Sequence, residues 1–374
     1  MFSLIIRLTI LCLLPTFLHT QVLANPPNFD YETRSKHLEP NLKMRHAIDN
    51  LGKQFIDADK AFPSEALSSW TKRDFRHIVG CGMGGSSLHY DIFNATHLSP
   101  HSIVVVKGYR IPNSIDLKRS VVIASSYSGN TEETLACFKQ AISGGAKTIA
   151  ITRNKKGKLA ALVTEKNIPV IFLTGVDMQP RVATGMYFTY LVRILHELGL
   201  SPMFDIDAVS SRLESIQKAL LVDTQQLAPE LRDSTVVFYS GQLLGSSARI
   251  AKVIVNETAK QPAFSSLLPE ANHNEMEGYQ QATGRFALIL LSDPDDHPMI
   301  RCRFNKMVDA IKKNSQAKFF SSVYQPSGQS SIERIFSALM WSHYLAYNLA
   351  VASNVKPEPV ELIEAFKREL SNGC

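Results

Sequence analysis

The sequence predicts an α/β protein of two domains, each a mainly parallel sheet flanked by helices. Three observations predict it. The chain has 374 residues, too long for one typical domain and comfortable for two. Short apolar runs of strand length alternate with longer helical stretches, the pattern of strands covered on both faces by crossover helices. That alternation restarts after a long helix of mixed charge ending near residue 231. A composition of 45% hydrophobic and 20% charged residues describes an ordinary globular chain able to bury a core.

The elements follow in order. Residues 42–62 carry Met44, Ala47, Leu51, Phe55 and Ile56 at helical spacing. A strand at 77–81 leads through the turn Gly82-Met83-Gly84-Gly85-Ser86 into a helix to about 97. Strands at 102–107 and 120–125 precede a helix at 131–143, which Gly144-Gly145 terminates. A strand at 147–152, a helix at 159–166, a strand at 170–173 and a helix at 180–198 complete the first domain. Residues 205–231 form a linking helix. Strands at 235–240, 286–292 and 318–323 then alternate with helices at 245–258, 298–313 and 332–353. Pro357 and Pro359 mark the start of a closing helix at 359–370. The domains are accordingly 28–220 and 221–374, with no sequence repeat between them.

Residues 1–24, MFSLIIRLTILCLLPTFLHTQVLA, have Arg7, an apolar stretch from Leu8 to Leu18 and a loose small-residue site at Val22-Leu23-Ala24. They read as a secretory signal peptide, or as a translation start placed too far upstream. They are too short and interrupted for a good membrane span. Five cysteines at 12, 81, 137, 302 and 374 form no C-x-x-C pair. Their odd number and wide spacing argue against a disulfide framework and a thiolate metal site. Cys81, Cys137 and Cys302 are expected to be buried, inert thiols of a reduced compartment. The net charge of +6 is mild, and no basic stripe with interleaved aromatics suggests nucleic acid.

The most informative stretch is Ser125-Ser126-Tyr127-Ser128-Gly129-Asn130-Thr131-Glu132-Glu133-Thr134, where a buried strand meets a helix. A helix N-terminus offers unpaired N–H groups and partial positive charge, so an anion fits there. The hydroxyls of Ser126, Ser128 and Thr131 add donors, and Gly129 lets the backbone approach. The competing reading is a helix capped by Ser128 or Asn130, with Thr131 and Glu132 or Glu133 completing a capping box. No Walker lysine is present, so a nucleoside triphosphate is not the obvious ligand. The earlier turn lacks the third glycine of a dinucleotide fingerprint, and the next strand ends in Lys107-Gly108 without an acid.

Together these two turns resemble the sugar isomerase (SIS) fold, and SSYSGNTEET is similar to the phosphate loop of the bifunctional phosphoglucose/phosphomannose isomerases. Gln179-Pro180-Arg181, Asn256-Glu257-Thr258-Ala259-Lys260 with Pro262-Ala263-Phe264, Asn272-His273-Asn274-Glu275, and Pro359-Val360-Glu361-Leu362-Ile363 with Lys367 extend the likeness over roughly residues 28–371. His273 stands 16 residues after Glu257, a spacing that agrees with the family. Two departures stand out. Leu268-Pro269-Glu270-Ala271 lacks the family's glycine, and the segment between His273 and Lys367 is longer than in compact members, so Lys367 is matched on the closing helix alone.

The resemblance implies two SIS domains and a metal-independent, cofactor-free aldose–ketose isomerase of hexose 6-phosphates working through a cis-enediol. Moving a proton between C2 and C1 needs a base, ring opening needs a proton donor, and the enediolate needs stabilising charge. Glu257 is the implied base, His273 the ring-opening residue, and Lys367 a group that steadies O1 or the enediolate. Gly85, Ser86, Ser126, Ser128, Thr131 and Arg181 would hold the sugar phosphate, with Arg181 alternatively neutralising the enediolate. No H-x-H or H-E-x-x-H pattern suggests a zinc site. The family also implies a homodimer in which one subunit's histidine completes the other's site. Sugar phosphates are cytosolic, which favours the mis-start reading and a cytoplasmic protein over an exported one, with no membrane in the working protein. Two readings compete: another SIS amino-sugar-phosphate enzyme, and a sugar-phosphate-binding regulator. The second normally carries a helix-turn-helix, for which the leading region is too short.

Overall fold

The computed structural model describes residues 41–67, 70, 75–175 and 177–373. The signal-like segment 1–25 and residues 28–40 of the expected first domain lie outside the described residues.

The expected first helix is two. Helix α1 (Asn41–Asp49) and α2 (Leu51–Lys60) break at Asn50, whose side chain donates to the His46 carbonyl at 2.8 Å and competes with the helical ladder. Then come β1 (His77–Gly82), α3 (Leu88–Thr96), β2 (Ile103–Val106), β3 (Ser120–Ser126), α4 (Glu132–Ser143), β4 (Lys147–Thr152), α5 (Lys158–Glu165), β5 (Val170–Phe172) and α6 (Thr184–Glu197). The five strands form one sheet in the order β2-β1-β3-β4-β5, parallel throughout. Every residue of β3 is buried, which is why its sequence is a continuous apolar run and not an alternating one.

Helix α7 (Ile206–Leu231) runs unbroken past the expected boundary at residue 220. It starts where Asp205 accepts the Ala208 N–H at 2.8 Å. Beyond it lie β6 (Thr235–Ser240), α8 (Gly245–Ile254), β7 (Ala263–Leu267), a short α9 (Glu275–Gly278), β8 (Arg285–Leu291), α10 (Met299–Asn314), β9 (Lys318–Tyr324), α11 (Ser331–Ala352) and α12 (Glu361–Ser371). The second sheet is parallel in the order β7-β6-β8-β9. Strand β7 is absent from the sequence reading because Ala263-Phe264-Ser265-Ser266-Leu267 is an edge strand with Phe264 and Leu267 exposed. It has no continuous apolar run to betray it.

Helix α11 is the keel of the molecule. It opens with a capping box between Ser330 and Glu333, and Ile332 through Ala352 are all buried. It lies along α7, where Trp341 donates to Asp223 at 2.7 Å and Asn348 to Thr224 at 2.9 Å. One continuous apolar core runs from α2 and α6 of the first sheet to α7, α8 and α11 of the second. Separate clusters cover the outer faces of the two sheets.

The expectation for the cysteines holds for the burial of Cys81 and Cys137 and otherwise fails. Cys81 at the end of β1 and Cys137 on α4 are fully buried and joined in a disulfide, their Cα atoms 6.2 Å apart. The 56-residue separation carries no pairing signal; only the packing of α4 onto the sheet brings the two together. Cys302 is free but exposed, not buried. Among the described residues no helix is long and apolar enough to cross a membrane.

Candidate active site

In each parallel sheet the chain leaves to one side and returns to the other, opening a crevice at the carboxyl ends of the two strands around the switch. In the first sheet these strands are β1 and β3. The β1 turn supplies Gly85 and Ser86, and the β3 turn supplies Ser126, Ser128 and Thr131. Ser86 ties the turns together: its Oγ accepts the Tyr127 N–H at 3.0 Å. Ser126 Oγ accepts the Gly129 N–H at 3.1 Å and lies 3.0 Å from Thr131 Oγ1. Ser128 Oγ accepts the Asn130 N–H at 3.3 Å. Gly129 has φ 68°, the left-handed region where glycine is free of strain.

The capping alternative is not what forms. Thr131 occupies the N-cap of α4, yet its side chain makes no capping hydrogen bond. The first amides of the helix therefore remain open to an anion.

The crevice of the second sheet, between β6 and β8, is built differently. Asp296 packs its carboxylate against Gly241 of the β6 turn. It accepts the Asp293 N–H at 3.0 Å and a second N–H from Leu243. Burial pushes this carboxyl above its ordinary pKa, and Asp293 and Asp295 add to the effect. The Asp296 carboxyl and its hydrogen bonds thus already fill the space beside Gly241. Of the two crevices, the first is the one whose turns carry the hydroxyls of Ser86, Ser126, Ser128 and Thr131.

Gly85 leads from the phosphate turns to the chemistry. A side chain there would lie 2.5 Å from the Arg181 backbone nitrogen, so glycine is required for the 3-10 turn Pro180–Val182 to pack against it. Arg181 itself is 1% exposed. All five of its N–H groups have protein acceptors. Nε donates to Thr258 Oγ1 at 3.0 Å. Nη1 donates to Gln179 Oε1 at 3.3 Å and to Glu257 Oε2 at 3.2 Å. Nη2 donates to the Pro357 and Glu358 carbonyls at 2.7 and 3.1 Å. Burial lowers its pKa, and the charge of Glu257 opposes that.

Glu257 sits where α8, expected as a regular helix to residue 258, widens into the π turn Val255–Ala259. Such turns occur often at functional sites. Its side chain is 23% exposed, and among the described residues only Oε2 is engaged. Asn256 joins the turn to β7 by accepting the Ala263 N–H at 2.8 Å. Lys260 closes it in the left-handed region with φ 57°. The Lys260 ammonium donates back to the Glu257 carbonyl. Burial and the nearby Arg181 charge lower its pKa to about 8.

The structure thus brings Gly85, Ser86, Ser126, Ser128, Thr131, Arg181 and Glu257 together, but not His273 or Lys367. His273 is exposed in the turn after β7, whereas Glu257 precedes that strand. The five residues of β7 separate the two by about 13 Å of strand at ~3.3 Å per step. Lys367 on α12 is exposed and paired with Glu364 at 2.7 Å. The sequence motifs include Gln179 and Thr258 but give them no role, and the Pro357–Glu358 carbonyls and His343 have none there either. His343, a lone histidine in an apolar helix, is a signal that could have been read.

His343 on α11 hydrogen bonds the Arg181 backbone. Burial first, and Arg181 second, lower its pKa to about 3. His89, behind the phosphate turns, is lowered to about 3 by burial. Both stay neutral in the fold, while in the unfolded chain each protonates near its ordinary value of 6.5. Between pH 6.5 and 3 the unfolded state holds more protons, so stability falls as the pH falls. Each histidine contributes a slope of up to roughly 1.4 kcal/mol per pH unit. Urea unfolding from pH 7 to 4.5 should show this loss, and His343→Asn should flatten it.

Residues 222–370 match the family model described as the bacterial phospho-glucose isomerase C-terminal SIS domain. A bifunctional phosphoglucose/phosphomannose isomerase of Caldicellulosiruptor bescii is 31% identical over 320 residues, covering 80% of this chain and 90% of that one. A D-glucosamine-6-phosphate 4-epimerase of Sulfolobus acidocaldarius is 30% identical, covering 79% of this chain and 89% of that one. The fold is similar to the C-terminal domain of glucosamine-fructose-6-phosphate aminotransferase from Francisella tularensis, with TM-score 0.65, 14% identity and coverage of 85% and 98%. Sheets, crevice and sequence agree: the chain belongs to the bifunctional phosphoglucose/phosphomannose isomerase family.

Proposed function

We propose that the chain is an aldose–ketose isomerase that interconverts glucose 6-phosphate and mannose 6-phosphate with fructose 6-phosphate. The observation that carries this is Arg181, whose backbone packs on Gly85 of the phosphate crevice while its guanidinium holds Glu257 at 3.2 Å. In this reading a phosphate in the crevice leaves the far end of an open-chain hexose to reach the free oxygen of Glu257. That carboxylate takes the C2 proton and returns it to C1. Glucose and mannose 6-phosphates differ only in configuration at C2, so rotation about C2–C3 presents either proton to one base. With all five N–H groups committed, Arg181 acts by fixing Glu257 and by its charge on the enediolate, not by gripping the phosphate. Lys367 is assigned the steadying of O1 or the enediolate.

Ring opening is assigned to His273 of a second copy, because one chain holds His273 and Glu257 at opposite ends of β7. A homodimer follows from that assignment. Exposed Leu362, Ile363 and Phe366 on α12 are the kind of surface a subunit contact covers. The working protein is placed in the cytosol with its substrates; the Cys81–Cys137 disulfide is the observation that opposes this placement.

The test is a coupled assay of residues 26–374 with mannose 6-phosphate and glucose 6-phosphate in the presence of chelator. Both are expected to give fructose 6-phosphate. Inversion at C4 of glucosamine 6-phosphate, with no isomerisation of either hexose phosphate, would overturn the proposal in favour of the epimerase relative's activity.

A further inference from the structure

Ser86 is held from two sides. Besides accepting the Tyr127 N–H, its Oγ lies 3.3 Å from the hydroxyl of Tyr187 on α6. Tyr187 is fully buried, and among the described residues its hydroxyl has no other hydrogen-bond partner. A buried phenol with a single partner satisfies its O–H by donating to that partner. Burial also pushes this phenol above its ordinary pKa, so it keeps its proton. Ser86 Oγ therefore accepts twice, and both neighbours are donors. Its own proton is left to a group entering the crevice between the turns.

The Tyr187 ring is fixed by what lies behind it. It stacks on His89 with centroids 4.8 Å apart and planes 12° apart. Tyr90 donates its hydroxyl to the Ile123 carbonyl at 2.8 Å, so Ser125 Oγ must donate to Tyr90, 2.7 Å away. Ser125 then accepts from His89 Nε2 at 3.2 Å. This proton inventory assigns His89 the Nε2–H tautomer and locks it against Tyr187.

We propose that Tyr187 is a positioning residue of the phosphate site: by donating to Ser86 Oγ it turns the Ser86 proton outward, toward a phosphoryl oxygen. This rests on the reading that the first crevice holds the phosphate. The test is a double-mutant cycle on the full chain, with the Kd for inorganic phosphate read by titration calorimetry. Wild type, Tyr187→Phe, Ser86→Ala and the double variant are compared, with thermal melts confirming that each is folded. Each single change should weaken phosphate binding about fivefold to tenfold. The double variant should bind no more weakly than Ser86→Ala, because the tyrosine acts only through the serine. A Tyr187→Phe protein within twofold of wild type, or losses that multiply, would overturn the inference while leaving the crevice reading intact. Failure of wild type to bind phosphate at all would instead refute the crevice reading, and the inference with it.

Discussion

Glu257→Gln should lower kcat by roughly 10² to 10⁴ while leaving the Kd for fructose 6-phosphate within a few-fold of wild type. The carboxamide keeps the size of the carboxylate and an oxygen for the Arg181 hydrogen bond at 3.2 Å. What it loses is the capacity to take and return a proton. The same substitution should abolish exchange of the C2 hydrogen with solvent deuterium, which isotope-resolved NMR follows without a coupling enzyme. A protein that merely binds sugar phosphates would show no turnover to lose. An enzyme whose base lies elsewhere would keep its rate within tenfold.

Arg181→Lys should damage both stability and turnover, for a different reason. The guanidinium satisfies Thr258, Gln179, Glu257 and the carbonyls of Pro357 and Glu358 from one buried position. Lysine keeps the charge but has three donors on a point-like head. At least two buried acceptors lose their partner, at about 1 to 3 kcal/mol each. A loss of about 3 kcal/mol in unfolding free energy is expected by urea titration. Glu257 would also lose its fixed orientation, so kcat should fall at least tenfold with the phosphate Kd little changed. A large loss of phosphate affinity with kcat retained would show that Arg181 grips the phosphate instead.

The strands of both sheets except β7, and the phosphate turn, are legible in the sequence because each depends on local chemistry. Buried parallel strands must be continuously apolar, and a strand-to-helix turn that offers hydroxyls and glycine is written in adjacent residues. The break at Asn50, the π turn at Glu257 and the edge strand β7 are not legible in the same way. The break follows one side-chain hydrogen bond from Asn50, β7 lies exposed at a sheet edge, and none of the three changes the apolar period. The Cys81–Cys137 bond was hidden because pairing depends on α4 docking onto β1, a tertiary event. The site shows the same division. Ser126, Ser128 and Thr131 announce themselves by sequence, whereas Tyr187, Gln179 and the Pro357 carbonyl matter only through packing. Arg181 could be found, but nothing in the sequence chose between its two implied roles; its five acceptors bear on that choice.

The most direct measurement is a crystal structure of the Glu257→Gln protein with fructose 6-phosphate bound. The phosphate should sit on the Ser126–Thr131 turn with Ser86 donating to it, and C1 and C2 of the same molecule should lie about 3–3.5 Å from the substituted side chain. A sugar whose phosphate occupies any other crevice, or whose C1–C2 end points away from residue 257 in its own subunit and in any neighbouring one, would contradict the account.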